Sequence, residues 1–136
     1  MRSFSVHGAL AHPLPISGVV TAGWPSPAEE ELGDVLSFEE WLLPNREAMC
    51  LITVTTDAMV GAGIHQGDHV IVQRGRRAQP DDIVVAEVDG TTLIRQLVHR
   101  GGVPTLVAAH DSYTSTACDL HTRMLGVVTA VIRKYR

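Results

Sequence analysis

Residues 82–99 read DIVVAEVDGTTLIRQLVH. Two runs rich in β-branched residues flank Asp89-Gly90, a pair suited to tight hairpin turns in which the backbone takes positive φ. The pattern predicts an antiparallel hairpin of Asp82 to Val88 with Thr92 to His99. Strand alternation then places Leu93, Arg95 and Leu97 on one face. A cation between leucines is either a surface arginine snorkelling to water or a covered charge in need of a partner.

Outward from the hairpin, the β signal continues. Met49 to Thr55, Asp68 to Gln73, Val103 to Ala109 and Leu125 to Arg133 bring the total to about six strands, and the short turns favour antiparallel pairing. Before Met49 the pattern changes. Residues 1–26 are interrupted by Gly8, Pro13, Pro15 and Gly18, and Trp24-Pro25-Ser26-Pro27 closes them with restricted backbone. Gly18 to Thr21 is strand-like. Ser26-Pro27-Ala28-Glu29 has the form of a helix start, with Glu29 to Glu31 in the first turn where the helix dipole favours negative charge. Ser37-Phe38-Glu39-Glu40 repeats that form, and Pro44 ends the second helix after Leu43. The expected organisation is a flexible arm over 1–26 and a mainly β domain over 27–136 with two short helices.

Composition narrows the function. The chain has 136 residues, 45% of them apolar and 19% charged, as in an ordinary soluble domain. A net charge of −4 gives no basic signature, so direct nucleic-acid binding is not expected. Ten of the eleven cationic side chains are arginine; the single lysine is Lys134. Cys50 and Cys118 stand apart, which fits reduced thiols, with one disulfide left open. The first twenty residues make a poor secretory signal and no apolar run is long enough to span a bilayer, so a cytoplasmic protein with no membrane contact is expected.

Most polar clusters have plain readings. His65 and His69 would share a face only on a helix, and they sit in turn-to-strand sequence; no metal and no cofactor are expected. Arg74-Gly75-Arg76-Arg77 and the tail Arg133 to Arg136 read as solvated charge. No G-x-S-x-G elbow or phosphate-binding glycine motif occurs. The unexplained stretch is residues 53–72, TVTTDAMVGAGIHQGDHVIV, whose first bend holds Asp57, Ala58 and Met59. Such bends often display a reactive side chain, and here the middle residue carries only a methyl group.

The order of motifs nevertheless resembles one family. Ala22-Gly23-Trp24-Pro25-Ser26-Pro27-Ala28-Glu29, Thr55-Thr56-Asp57-Ala58-Met59 and Gly63-Ile64-His65-Gln66-Gly67-Asp68 are similar to segments of the LexA/UmuD self-cleaving (S24-type) peptidases, and within them of the UmuD type. Asp82 to Ala86, Ile94-Arg95-Gln96-Leu97 and Leu125 to Thr129 continue the likeness in register from about residue 18 onward. Only 22 residues precede the Ala22-Gly23 bond, which is short for the DNA-binding winged helix of LexA.

In that family a serine attacks the chain's own Ala-Gly or Cys-Gly bond, and a buried neutral lysine takes its proton. The resemblance puts the serine position at Ala58, the lysine position at Arg95 and the cleavable bond at Ala22-Gly23, with Asp57 and Met59 supporting the bend. Ala58 has no attacking atom, and a guanidinium keeps its proton at physiological pH. The expectation is therefore a catalytically silent UmuD-like protein. It would be a homodimer serving an error-prone Y-family translesion DNA polymerase in the SOS response, with a RecA-type recombinase filament and the sliding clamp as further partners.

Other readings stand beside it. Thr55 or Thr56 would be a nucleophile off the required position and without a base. An engineered alanine would explain Ala58 but leave Arg95 as a second change. An active relative would cut Ala22-Gly23 in trans, with this chain as substrate or inhibitor. A working self-processing serine endopeptidase with a displaced catalytic pair is the alternative from another class. For Arg95, Asp57 is the expected counter-charge and Asp68 the second choice.

Overall fold

The computed structural model describes residues 14–15 and 35–136. The Ser26 helix start, Gly18 to Thr21 and the Ala22-Gly23 bond lie outside the described residues. The chain divides into two units, one of Ser5–Arg46 and one built on Glu47–Arg136.

In the first unit, β1 (Leu14–Pro15) and β2 (Val35–Leu36) form a two-residue antiparallel ladder. Helix α1 (Phe38–Leu42) follows, with extended Ser37 as N-cap. The Ser37 hydroxyl accepts from the Glu40 N–H at 3.5 Å, and Glu39 and Glu40 occupy the first turn. Glu39 also pairs with Arg46 beyond the helix. Pro44 cannot continue the helical hydrogen bonding, and the helix stops two residues before it. No helix among the described residues is long and apolar enough to cross a membrane.

The second unit is one seven-stranded antiparallel sheet. Its strands are β3 (Met49–Thr53), β4 (His69–Gln73), β5 (Ile83–Val88), β6 (Thr91–Arg100), β7 (Val103–Val107), β8 (Thr116–Ala117) and β9 (Thr122–Ile132). They lie in the order β3-β4-β9-β5-β6-β7-β8. The mainly β class and the antiparallel pairing read from the sequence are what the structure has. Between β5 and β6, Asp89 and Gly90 take φ of 49° and 82°, so Val88 sits opposite Thr91. Two consecutive positive φ values fit the right-handed twist of the strands they join. Gly101-Gly102 repeats the device between β6 and β7.

The sheet carries apolar residues on both faces. Cys50, Val54, Met59, Ile64, Val70, Val72, Val85 and Ile94 form one core cluster. Val84, Ala86, Leu97, Leu106 and Val127 form the other. Burial on both sides explains why β5 reads as a near-continuous apolar run rather than a strict alternation. Long strand β9 crosses the centre and shifts register twice, against Ile71/Val72 and against Val85/Ala86. Such shifts bend a strand and increase its twist. Cys50 and Cys118 are both free thiols.

Candidate functional site

The bend after β3 is built from the inside. Val54 donates its N–H to Asp68 O at 2.8 Å, and Gly67 returns a bond to Val54 O at 2.8 Å, closing the loop at its neck. Within it, Val60 N–H reaches Asp57 O at 3.1 Å, a 3-10 turn covers Val60–Ala62, and Gly63 at φ 84° reverses the chain. Met59 and Ile64 are fully buried and anchor the loop in the first core cluster. Ala58, between Asp57 and Met59, is fully buried as well.

A second loop grips this bend. Ala109 N–H donates to Ala58 O at 2.8 Å, and Gly61 N–H donates to Ala109 O at 2.9 Å. A Cβ on Gly61 would lie 2.7 Å from that same carbonyl oxygen, so the close approach requires glycine. Side chains extend the contact. Tyr113 Oη donates to Asp57 Oδ1 at 2.6 Å and lies 3.4 Å from Thr56 Oγ1, which accepts from Ala58 N–H at 3.1 Å. His110 stands edge-on to the Tyr113 ring, with centroids 5.2 Å apart. Its Nδ1 accepts from Ser112 N–H at 3.0 Å, which leaves the ring proton on Nε2, 3.5 Å from Asp57 Oδ2.

The Tyr113 hydrogen bond, and then the His110 charge when the ring is protonated, hold the Asp57 carboxyl below the usual carboxylate range. Replacing Tyr113 with phenylalanine removes the larger cause. The Asp57 carboxyl resonance, followed by NMR titration, is expected to titrate at higher pH in Tyr113→Phe than in the unmodified chain. An unchanged titration would mean that the phenol is not its main partner.

Arg95 completes the site from β6. Its residue is only 9% exposed. The Nη1 group donates to Ile94 O at 2.8 Å, and the guanidinium carbon lies 5.2 Å from the centre of the Tyr113 ring. Burial pushes its pKa below the ordinary arginine value, but a guanidinium stays protonated at physiological pH. Of the two readings of Leu93-Arg95-Leu97, the structure has the covered charge.

The expected ion pair between Arg95 and Asp57 is not formed. Tyr113 stands between them, offering its ring face to the cation and its hydroxyl to the carboxylate. Asp68, the second choice, is taken by Arg133: Nε donates to Oδ1 and Nη2 to Oδ2, both at 2.7 Å. The His65 N–H adds a bond to Oδ2 at 2.8 Å, and Arg133 Nη2 also reaches Gly63 O at 2.9 Å. This fork ties the end of β9 to the loop that carries Ala58. His69 is instead a cross-strand partner of Thr53, with Oγ1 and Nδ1 3.0 Å apart.

The Arg133 hydrogen bonds, followed by that from His65, hold the Asp68 carboxyl well below its ordinary value. A depressed folded-state pKa contributes stability that is present above the unfolded value of about 3.9 and is lost as pH falls below it. Asp68→Asn is expected to melt at lower temperature near neutrality and to show a shallower loss of stability below about pH 4. Thermal melts across pH check both, and parallel pH curves would contradict the assignment.

Tyr113 and His110 were not among the site residues expected from sequence. Tyr113 lies 56 residues from Asp57, and nothing local marks either residue as its neighbour. Thr56, weighed as an off-position nucleophile, has its oxygen engaged by the Ala58 amide.

Comparison with known proteins adds the ancestry. Residues 15–129 match the model of the family described as Peptidase S24-like. The chain is 31% identical over 124 residues to a LexA repressor of Carboxydothermus hydrogenoformans, covering 90% of this chain and 60% of that protein. It is 31% identical over 132 residues to a LexA repressor of Anaeromyxobacter sp., covering 89% and 54%. A LexA repressor of Myxococcus xanthus is 31% identical over 127 residues, covering 89% and 57%. The chain thus spans somewhat more than half the length of these relatives.

Proposed function

This chain belongs to the Peptidase S24-like family, and from that membership we propose that it is a catalytically silent, UmuD-like accessory subunit that works by binding other proteins. Its setting is the SOS response of a bacterial cytoplasm, and its target an error-prone Y-family DNA polymerase. It forms a homodimer through the β domain and meets the recombinase filament and the sliding clamp. The observation that carries the reading is the pair Ala58 and Arg95. On this reading Ala58, whose methyl group is buried in the bend after β3, takes the place of the family's attacking serine. On the same reading Arg95, a permanently protonated guanidinium on β6, takes the place of the family's proton-accepting lysine. Lys134, the only lysine, lies in the tail after β9.

Such a protein keeps its arm unless another enzyme removes it. Residues 1–22 are then a fixed part of the binding surface rather than a removable inhibitor. Deleting residues 1–22 is expected to change polymerase-dependent mutation frequency in cells, and an unchanged frequency would defeat an arm-based mechanism. Whether an active relative cuts Ala22-Gly23 is read by co-incubation: product from the mixture, and none from this chain alone, makes it a substrate in trans.

A further inference from the structure

The turn Arg74-Gly75-Arg76-Arg77 follows β4 and carries three positive charges in four residues, with no negative one. All four residues are exposed, and Gly75 takes φ of 74°. The turn is pinned to the start of β3, where Arg74 N–H donates to Ala48 O at 2.7 Å. Two of its guanidinium groups rest on neutral oxygens: Arg74 Nη2 donates to Glu47 O at 3.2 Å, and Arg76 Nη1 to Gln73 Oε1 at 3.4 Å. None of the three arginines forms an ion pair among the described residues, whereas Arg123 pairs with Glu87 and Arg133 with Asp68. The neighbouring carboxylates of Glu47, Asp81 and Asp82 do not answer them. Glu47 meets Arg74 through its main-chain oxygen, and Asp82 Oδ2 accepts from Gln79 N–H at 2.8 Å. Three like charges held this close repel one another, and no internal anion offsets that cost.

We propose that this turn binds the phosphate backbone of a nucleic acid. From sequence alone the turn reads as solvated charge; the structure adds that its arginines are ordered side by side without a carboxylate partner. Three separate guanidinium forks suit successive phosphates of a polymer better than one small ion, and Arg74 and Arg76 each commit one of five donors. The surface favours nucleic acid over an acidic protein. A protein interface buries large apolar or aromatic anchors, and residues 74–82 expose none. Arginine without such anchors fits a backbone contact, which positions a nucleic acid without reading its bases. The net charge of −4 does not oppose this locally. Residues 1–46 hold six carboxylates and two arginines, while residues 47–136, which include the turn, hold nine charges of each sign. The contact makes no use of the bend at Ala58, so it stands whether or not the chain is silent as a peptidase.

The test follows the fluorescence anisotropy of a labelled oligonucleotide, single-stranded and duplex, titrated with the full chain. Labelled polyglutamate of equal charge stands in for an acidic protein. Three phosphate contacts predict an affinity that falls roughly 20- to 40-fold between about 50 and about 200 mM salt. The form bound more tightly, single strand or duplex, identifies the natural one. Replacing both Arg76→Gln and Arg77→Gln is expected to lower affinity at least tenfold at the lower salt and to flatten the salt dependence to roughly threefold. Arg123→Gln, which removes one cation elsewhere on the sheet, is expected to leave binding within about twofold. Failure of the unmodified chain to bind either oligonucleotide at the lower salt would overturn the proposal. So would polyglutamate binding as tightly as the oligonucleotides, or unchanged binding by the double variant. The comparison of oligonucleotide with polyglutamate on the unmodified chain decides the matter even where the double variant fails to fold.

Discussion

Installing serine at Ala58 and lysine at Arg95 together is expected to start scission of the chain between Ala22 and Gly23, while either change alone leaves it intact. The two groups act as one unit. Ala58→Ser supplies an attacking oxygen but leaves a guanidinium that accepts no proton. Arg95→Lys supplies an amine that burial pushes toward its neutral form, but no oxygen for it to activate. In serine proteases the loss of either partner costs nearly as much as the loss of both, on the order of 10⁴-fold or more in rate. The double variant should therefore exceed both single variants by about that factor, read as a fragment beginning at Gly23 by mass spectrometry at alkaline pH. A folded double variant that never cuts would show that Ala58 and Arg95 do not hold the catalytic positions.

The second large effect belongs to the scaffold. Gly126 lies in β9 where that strand shifts register between its two neighbours. A Cβ there would lie 2.5 Å from Val72 Cγ1 and 2.8 Å from Gln73 O, and the backbone oxygen cannot rotate away as a side chain can. Gly126→Ala is expected to destabilise the sheet by about 1–3 kcal/mol, as overpacking of a close-packed core does. For a chain of this size that is a fall in Tm of roughly 4–10 °C. Gly75, in a turn where a Cβ would meet nothing within 4 Å, provides a comparison. Its φ of 74° makes alanine strained, but without the collision. A Gly126→Ala protein melting with the unmodified chain would contradict the packing described for β9.

What the sequence disclosed follows the range of the forces involved. The Asp89-Gly90 turn and the Ser37 cap are local: each depends on the backbone preferences or hydrogen bonds of a few neighbouring residues. Both were legible in the local order of residues. Two-residue β8 was not, because it is too short for any period and forms only by pairing Thr116–Ala117 with β7. The site divides in the same way. That Ala58 carries no nucleophile is visible in the letters themselves. That Arg95 faces Tyr113 rather than Asp57 depends on a loop 18 residues further along, whose position is set by bonds between Ala58, Gly61 and Ala109. Asp68 was misjudged for a related reason: its partner Arg133 is 65 residues away and reaches it only once β9 lies beside β4.

On the proposed reading, this chain lacks the chemistry to cut itself. That reading is tested most directly by incubating the purified, unmodified protein with activated recombinase filaments, and separately at alkaline pH, and recording its intact mass. One species of full mass is expected after prolonged incubation under both conditions. A product beginning at Gly23, formed from this protein with no other peptidase present, would contradict it.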